Sequence, residues 1–389
     1  MYQIGRPSAL AIAMRQRDLK IASFSDVHLG HASTPTRLIL DNLYKAFPDN
    51  AKTGELDLIL LGGDLFDSEL QYSDPDIVEI EKWMYYMLGL CARRHIVLRI
   101  LEGTFSHDRA QGLNFEKIAR MCGLEVDFRY VKSIEVEQIE SLGISMLYVP
   151  DFTTAEVDRL WKEVQQALAS AGVDQVDYCN LHGAFTYQLP PISKVQAACH
   201  SMERYLSIVR NYIFTGHIHL SSVWDRILCN GSFDRLSHGE EEAKGHWEAL
   251  IRQNGEDDFT FVVNEGAKIY KSLDCTHLTL EDSLALIDKT VKTLRPDSAI
   301  RLVAERGDPI LHALARVRKD YYQFQWTTKS VEVKDVQKNL LVDLRGEFKE
   351  IDITPDNVFD LMMERIQRRA PADPVYHRAA ELLTGMLRS

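Results

Sequence analysis

Acidic and histidine side chains recur in this chain at spacings that suit a divalent metal site. The stretch Ile21 to Gly30 reads Ile-Ala-Ser-Phe-Ser-Asp-Val-His-Leu-Gly. Its apolar start predicts a buried strand, and Asp26 and His28, two residues apart, leave the strand end on one side. Gly62-Gly63-Asp64-Leu65-Phe66-Asp67 follows another apolar run, as do Gly103-Thr104-Phe105-Ser106-His107-Asp108, His182-Gly183 and Gly216-His217-Ile218-His219. Taken singly, each is explained as a polar strand end, a tight turn, a core histidine or a chance pair. Their repetition in order, always just past an apolar run, is what argues for one site. Carboxylate and imidazole are the donors that suit Mn, Fe or Zn, and no cysteine stands near these loops to close a structural zinc site. The ligands exceed what one ion takes and suit two, with Asp64 as the natural bridge because a carboxylate has two oxygens to share. Two ions about 3.5–4 Å apart can activate water and clamp a phosphate during in-line displacement.

The elements that must position these residues alternate between strand and helix. Spacing predicts a helix over Thr36–Phe47, a strand over Leu56–Leu61, a helix over Asp76–Arg94 and a strand over His95–Leu101. Further strands are expected at Ile144–Val149, Val176–Leu181, Tyr212–Thr215 and Val223–Cys229. In an α/β fold the loops beyond the carboxyl ends of such strands gather into one site.

At 389 residues, 45% hydrophobic and 26% charged, the chain is long enough for two or three domains. No apolar run approaches the roughly 20 residues that span a bilayer. Residues 1–18, broken by Arg6, Arg15, Arg17 and Asp18, read as a loose leader without a signal sequence, and a cytoplasmic location is expected. The six cysteines form no Cys-x-x-Cys pair and read as reduced packing residues. A net charge of -12 opposes nucleic-acid binding unless local charge and metal offset it.

The order Asp-x-His, Gly-Asp-x-x-Asp, Ser-His-Asp, His-Gly and Gly-His-x-His resembles the calcineurin-like metallophosphoesterase superfamily over about residues 19–236. The resemblance implies a double β-sheet sandwich flanked by helices and two divalent ions, with Mn the expected metal. Asp26, His28, Asp64 and His219 would hold the first ion, and Asp64, His182 and His217 the second. His107 would meet the phosphate, stabilising the transition state or protonating the leaving oxygen, and Asp67 would orient it. The loop departs from the usual Gly-Asn-His. Ser106 stands before His107 and is the expected, weaker ligand of the second ion.

The run from Cys229 to Gly245, with Gly231-Ser232, Arg235, Gly239-Glu240-Glu241 and Lys244-Gly245, is similar to the segment after the last metal histidine in SbcD-type repair and recombination nucleases. A strand, a polar turn and a return strand would also make physical sense of it. Residues 19–273 are then expected to form the nuclease domain and 274–340 a small α/β capping domain that contacts DNA. Thr279 with Asp282 reads there as a helix cap, followed by an apolar helix to Leu294, a strand at Ala299–Ala304 and a helix at Pro309–Val317. Between Lys292 and Lys338 ten Lys or Arg stand against six Asp or Glu. Arg316, Arg318 and Lys319 are the candidate phosphate contacts. Residues 341–389 read as a linker and two capped amphipathic helices. They would either fold back on their own domain or, as the resemblance implies, grip an SMC-like ATPase of the SbcC type; the resemblance also leaves room for a homodimer. The expected function is a two-metal DNA nuclease. The alternatives are a small-molecule phosphodiesterase of the same fold and a DNA- or ATPase-binding scaffold that no longer turns over.

Overall fold

The computed structural model describes residues 4–331 except 72, 152–156 and 189–198. The expected tail helices, and with them any fold-back or ATPase contact, lie outside the described residues. The chain divides into two compact units between Ser330 and Val331, and the described residues belong to the first apart from Val331.

Two six-stranded sheets form the body. The first joins β1 (Leu19–Phe24), β2 (Leu58–Leu61), β3 (Val97–Leu101), β4 (Phe128–Val131), β13 (Gly245–Ile251) and β14 (Asp258–Val263), in the order β14-β13-β1-β2-β3-β4. The second joins β5 (Glu135–Ile139), β6 (Ile144–Val149), β7 (Val176–His182), β10 (Val209–Gly216), β11 (Ser222–Trp224) and β12 (Ile227–Cys229), in the order β11-β12-β10-β7-β6-β5. A two-stranded ribbon, β8 (Ala184–Phe185) and β9 (Cys199–His200), stands apart. The central strands β1 to β4 run parallel, as do β6, β7, β10 and β12. Their carboxyl ends therefore point the same way within each sheet.

Strand alternation explains the layering. Ile21, Leu58, Leu60 and Val97 on one face of the first sheet meet Met146, Tyr148, Tyr178, Tyr212 and Phe214 of the second in a shared interior. Their chain neighbours Ala22, Ile59, Leu61 and Leu98 point the opposite way, into a separate cluster with the helices Thr36–Ala46 and Ile77–Arg94. In the second sheet Leu147, Val149, Cys179 and Ile213 likewise face outward, onto the helices Val157–Ser170 and Met202–Ile208. Because both faces of the central strands are covered, they read as largely apolar runs, interrupted by Lys20 and Ser23 in β1, Arg99 in β3, and Asp177 and Asn180 in β7. The result is the expected double-sheet sandwich flanked by helices.

Several boundaries shift for local reasons. The helix expected from Asp76 starts at Ile77 and stops at Arg94, where His95 adopts φ 56° and closes the helix by donating to the Cys91 carbonyl. The strand therefore begins at Val97, not His95. The single strand expected at Val223–Cys229 is a hairpin. Asp225, at φ 48°, turns β11 back on β12, and the Arg226 guanidinium is held by the carbonyls of Leu206, Val209, Arg210 and Asn211. The segment before β1 is docked, not loose. Ala9–Ala13 forms a short helix capped by Ser8, and Arg15 makes a buried bidentate pair with Asp257 at 2.7 and 2.8 Å.

The run from Cys229 to Gly245 joins two strands, as a strand, turn and return strand would, but the strands it joins do not pair with each other. It leaves β12 in the second sheet and enters β13 in the first, crossing between the two. On the way Ser232 bridges Ser25, its N–H reaches the His219 carbonyl (3.1 Å), and the Phe233 N–H reaches the Asp26 carbonyl (3.3 Å). After β14 a third sheet follows, ordered β15 (Tyr270–Asp274), β16 (Ala299–Glu305) and β17 (Gln325–Val331). Thr279 caps the helix Leu280–Val291 through the Asp282 N–H (3.1 Å) and donates its hydroxyl to the Asp282 carboxylate (2.7 Å). The helix expected at Pro309–Val317 is two, Pro309–His312 and Leu314–Asp320, broken at Ala313. This small unit has its own apolar cluster, including Ile287, Leu302, Phe324 and Trp326. Polar contacts fasten it to the body: Tyr270 hydroxyl to Thr34 Oγ1 (2.8 Å), Lys268 Nζ to the Ser33 carbonyl (2.6 Å), and Arg295 to the carbonyls of Glu265, Gly266 and Ala267. Among the described residues, no helix is long and apolar enough to cross a membrane.

Candidate metal centre

The loops after β1 and β2 are zipped together by their backbones. The N–H groups of Val27 and His28 both donate to the Asp64 carbonyl (2.8 and 3.1 Å), and that of Asp26 donates to the Gly63 carbonyl (3.0 Å). Asp26, His28, Asp64 and His217 all adopt left-handed backbone, with φ of 51°, 53°, 50° and 83°. Such conformations cost energy in non-glycine residues and persist where surrounding contacts over-determine them, commonly at functional sites. Gly63, at φ +93°, has no alternative: a Cβ there would lie 2.4 Å from His182 Nδ1.

Three groups of side chains bring metal-capable atoms within 4.8 Å of one another: Asp26 with His28 and His219, Asp64 with His182 and His217, and His28 with Asp67 and His107. Asp64 lies between the first two. One of its oxygens, Oδ2, is 3.4 Å from His182 Nε2 and 3.9 Å from His28 Nε2. Asp26 is fully buried; its carboxylate accepts the His217 N–H, and its Oδ1 is 3.9 Å from His219 Nε2. The His28 ring is 5.1 Å from that of His219 and 5.0 Å from that of His107, and the His182 and His217 rings are 5.2 Å apart.

These residues fit a pair of divalent ions. His28 Nε2 is buried with no hydrogen-bond partner, a costly state unless something else engages it. His182 Nδ1 donates to the Gly62 carbonyl (2.6 Å), which leaves Nε2 facing Asp64 as a ligand atom. Burial alone would drive a proton off His182, but the Asp64 carboxylate overrides it by charge and contact and raises the histidine above its ordinary range. Asp64, although burial opposes it, is held below the usual carboxylate range by His182 and His28. A proton therefore occupies His182 through neutral pH and must leave when an ion binds. Apparent affinity for Mn at this group should fall by about tenfold for each pH unit lowered, one proton released per ion. Calorimetry in buffers of different ionisation enthalpy checks this, and affinity independent of pH would contradict it.

His107 lies on the helical turn Phe105–Asp108, and its Nδ1 contacts the Asp67 backbone carbonyl. The Asp67 carboxylate does not orient His107, contrary to the expectation from sequence. It faces His28 Nδ1 at 3.3 Å. Asp67 thus serves two histidines, one through its backbone and one through its side chain.

Ser106 also differs from expectation. It is exposed on the outer side of the turn, whereas Thr104 occupies the place beside the second group: its N–H donates to Asp64 Oδ1 (2.6 Å), and its hydroxyl lies 3.2 Å from Asp64 Oδ2 and 3.5 Å from His182 Nε2. The two extra residues after Thr104 form the turn that carries His107. Thr104 is legible in the sequence as the residue after Gly103, but counting back from His107 points to Ser106 instead.

Two further carboxylates hold the site together; both stand within motifs noted in the sequence, but neither is assigned a role there. Asp108, fully buried, accepts the N–H groups of Gly103 (2.7 Å), Phe66 (3.0 Å) and Asp64 (3.1 Å), clamping the second and third loops. Burial, reinforced by the charge of Asp64, pushes its carboxyl up to about 7. Asp108→Ala leaves three buried amides unpaired, at roughly 1–3 kcal/mol each, and should lower the unfolding midpoint markedly. An unchanged midpoint in denaturant would contradict the clamp.

Glu240 lies 3.3 Å from His219 Nδ1 and 3.1 Å from Lys244 Nζ, and Lys244 also donates to the His219 carbonyl (2.8 Å). Burial opposes ionisation of Glu240, but His219 and Lys244 hold its carboxyl down at about 2. A carboxylate on the far nitrogen fixes a ligating imidazole and raises its basicity. Glu240→Gln should weaken the Asp26–His28–His219 group for Mn by about 10–100-fold. A dialysis measurement showing parent affinity would contradict that role.

No family model matches this chain, and no curated protein does. Among solved structures, the chain is similar to the crystal structure of TT1561 of Thermus thermophilus, with a TM-score of 0.36 and 11% identity over 62% of this chain and 98% of that one.

Proposed function

We propose that this protein is a two-metal-dependent phosphodiesterase of the calcineurin-like metallophosphoesterase kind that cleaves DNA, as the nuclease partner of an SbcC-like ATPase. The observation that carries the hydrolase reading is the pair of three-residue ligand groups on either side of Asp64, with His107 beside them. Asp26, His28, Asp64 and His219 would hold one ion, and Asp64, His182 and His217 the other. Bound there, the ions would supply Lewis-acid stabilisation of the phosphate and an activated water.

The chain's own residues do the rest. Thr104 and Asp108 fix where Asp64 points, Glu240 and Asp67 hold His219 and His28 in register, and the Gly62 carbonyl sets the tautomer of His182. His107, half-buried, donates from Nδ1 to the Asp67 carbonyl, which leaves Nε2 free; with the ring protonated, Nε2 would donate a hydrogen bond to a phosphate oxygen or a proton to the leaving oxygen.

The preference for DNA rests on the crossing segment Cys229–Gly245, whose residues resemble SbcD-type nucleases and which here contacts both Asp26 and His219. The small unit after β14 adds surface cations. Arg316 is exposed, with its nearest acid on its own helix turn (Asp320, 3.3 Å), whereas Arg318 donates to the Trp326 carbonyl (3.1 Å) and is partly committed to the fold. Arg316 and Lys319 are therefore the better phosphate contacts of the three. End-labelled DNA incubated with Mn, against a bis-nitrophenyl phosphate control, tests the reading. Metal-dependent cleavage of DNA is expected. Turnover of the nitrophenyl ester alone would favour a small-molecule phosphodiesterase, and turnover of neither would favour a binding scaffold.

A further inference from the structure

The turn that follows β1 carries a histidine that the ligand groups leave unused. His31 donates its backbone N–H to the His28 carbonyl (3.1 Å), and its ring Nδ1 accepts the N–H groups of Ser33 (3.2 Å) and Thr34 (3.1 Å). Thr34 is fully buried; its hydroxyl donates to the Arg235 carbonyl (2.7 Å) and meets the Tyr270 hydroxyl (2.8 Å). Both ends of the turn are therefore pinned, and the imidazole is fixed by the backbone that it caps.

Two backbone donors on Nδ1 decide the tautomer. A ring nitrogen that accepts hydrogen bonds carries no proton, so the hydrogen of His31 sits on Nε2, and a second proton would set Nδ1–H against both donors. Among the described residues no group accepts from Nε2, which, unlike Nε2 of His28, is open to solvent on a half-buried ring. The charges that act on this ring are those of Asp67, His28, Glu240 and His219. Asp67 faces His28 and Glu240 faces His219, so His31 stands at the mouth of the centre, beside the group of Asp26, His28 and His219. It is not itself a ligand there. Coordination through Nε2 would need the hydrogen on Nδ1, at the cost of both bonds of the turn.

We propose that His31 touches the substrate, its Nε2–H donating to a non-bridging oxygen of the phosphate that is cleaved. The inference rests on the phosphodiesterase reading above and adds a second histidine to it, of the opposite tautomer to His107. His107 gives its Nδ1 hydrogen to the Asp67 carbonyl and needs a further proton to donate from Nε2, whereas His31 donates from Nε2 as a neutral ring. A donor held in place before the substrate arrives needs no reorganisation to meet it.

Nitrogen-15 NMR of the imidazoles in the metal-free full chain, with the His31 signal assigned from His31→Asn, reads the tautomer. The hydrogen is expected on Nε2, and a signal showing it on Nδ1 would overturn the inference. Calorimetry of the Mn-loaded protein with dimethyl phosphate, and kcat and KM for bis-nitrophenyl phosphate and for DNA, read the contact. In His31→Asn the amide oxygen is one bond from Cγ, as Nδ1 is, and can accept the Ser33 and Thr34 N–H groups, while no donor reaches as far as Nε2. This variant should fold and bind Mn as the parent does, bind dimethyl phosphate about 10–100-fold more weakly, and raise KM for both esters with kcat falling far less, as loss of a contact made equally in ground and transition states requires. His31→Ala, which also strands the two N–H groups, should weaken phosphate binding similarly and unfold earlier. Weakening confined to His31→Ala would reduce His31 to a cap of the turn, a loss confined to DNA would move its contact to another phosphate, and a fall in Mn affinity would make it part of the metal centre; each overturns the inference. A parent that neither binds dimethyl phosphate nor cleaves either ester fails the phosphodiesterase reading and takes the inference with it, whereas an active parent with an indifferent His31→Asn fails the inference alone.

Discussion

Asp64→Asn should lower the proposed phosphodiester hydrolysis by at least about 10³-fold, the scale expected when a principal electrostatic element of a site is lost. The amide retains one oxygen, enough to accept the Thr104 N–H that Asp64 Oδ1 now accepts at 2.6 Å, so the loop keeps its shape. It cannot offer the anionic Oδ2 that faces both His182 and His28. Removal of that charge also releases the proton that Asp64 holds on His182, so the variant loses both the shared ligand and the field around it. Unfolding should change little, because the amide remains buried among polar neighbours. Hydrolysis at parent rates in a folded Asp64→Asn protein would refute Asp64 as the shared ligand.

His107→Ala has the second largest effect and a different signature. The ring belongs to the His28–Asp67–His107 group, yet neither of the groups beside Asp64 needs it. The variant should bind Mn as the parent does while kcat falls by about 10²–10⁴-fold, the range for loss of a positioned general acid. A substrate whose leaving group needs no proton, such as a nitrophenyl ester, should lose less than DNA. If Mn affinity fell in step with kcat, His107 would be a ligand, and its assignment to the phosphate would be wrong.

The identities at the strand ends are legible in the sequence because β1, β2, β7 and β10 are buried on both faces. Their apolar runs therefore stop sharply, at Phe24, Leu61, Leu181 and Phe214, and expose whatever polar residue follows. Relations that only tertiary contact creates are not legible in this way. Nothing in the order of residues says that Asp67 turns its carboxylate to His28 and its carbonyl to His107, or that Glu240, twenty-one residues past His219, lies at its far nitrogen. The insertion after Thr104 misleads for a related reason. Counting back from His107 selects Ser106, while geometry selects the residue after Gly103, because the added residues are absorbed into a helical turn on the far side of Asp64. The hairpin β11–β12 reads as one strand because periodicity carries no signal of reversal when the turn is as short as Asp225 and Arg226. The docking of the segment around Arg15 is hidden in the sequence because its pairing partner, Asp257, is distant in the chain.

Ser106→Ala should accordingly be silent in metal binding, and Thr104→Val should not be. Everything proposed for the site depends, however, on two ions sharing Asp64, and the electron paramagnetic resonance spectrum of the protein loaded with Mn reads that directly. At saturation, two Mn per chain and an exchange-coupled spectrum are expected, reverting to isolated-ion signals in Asp64→Asn. One ion per chain, or two that remain magnetically independent in the parent protein, would refute the shared carboxylate.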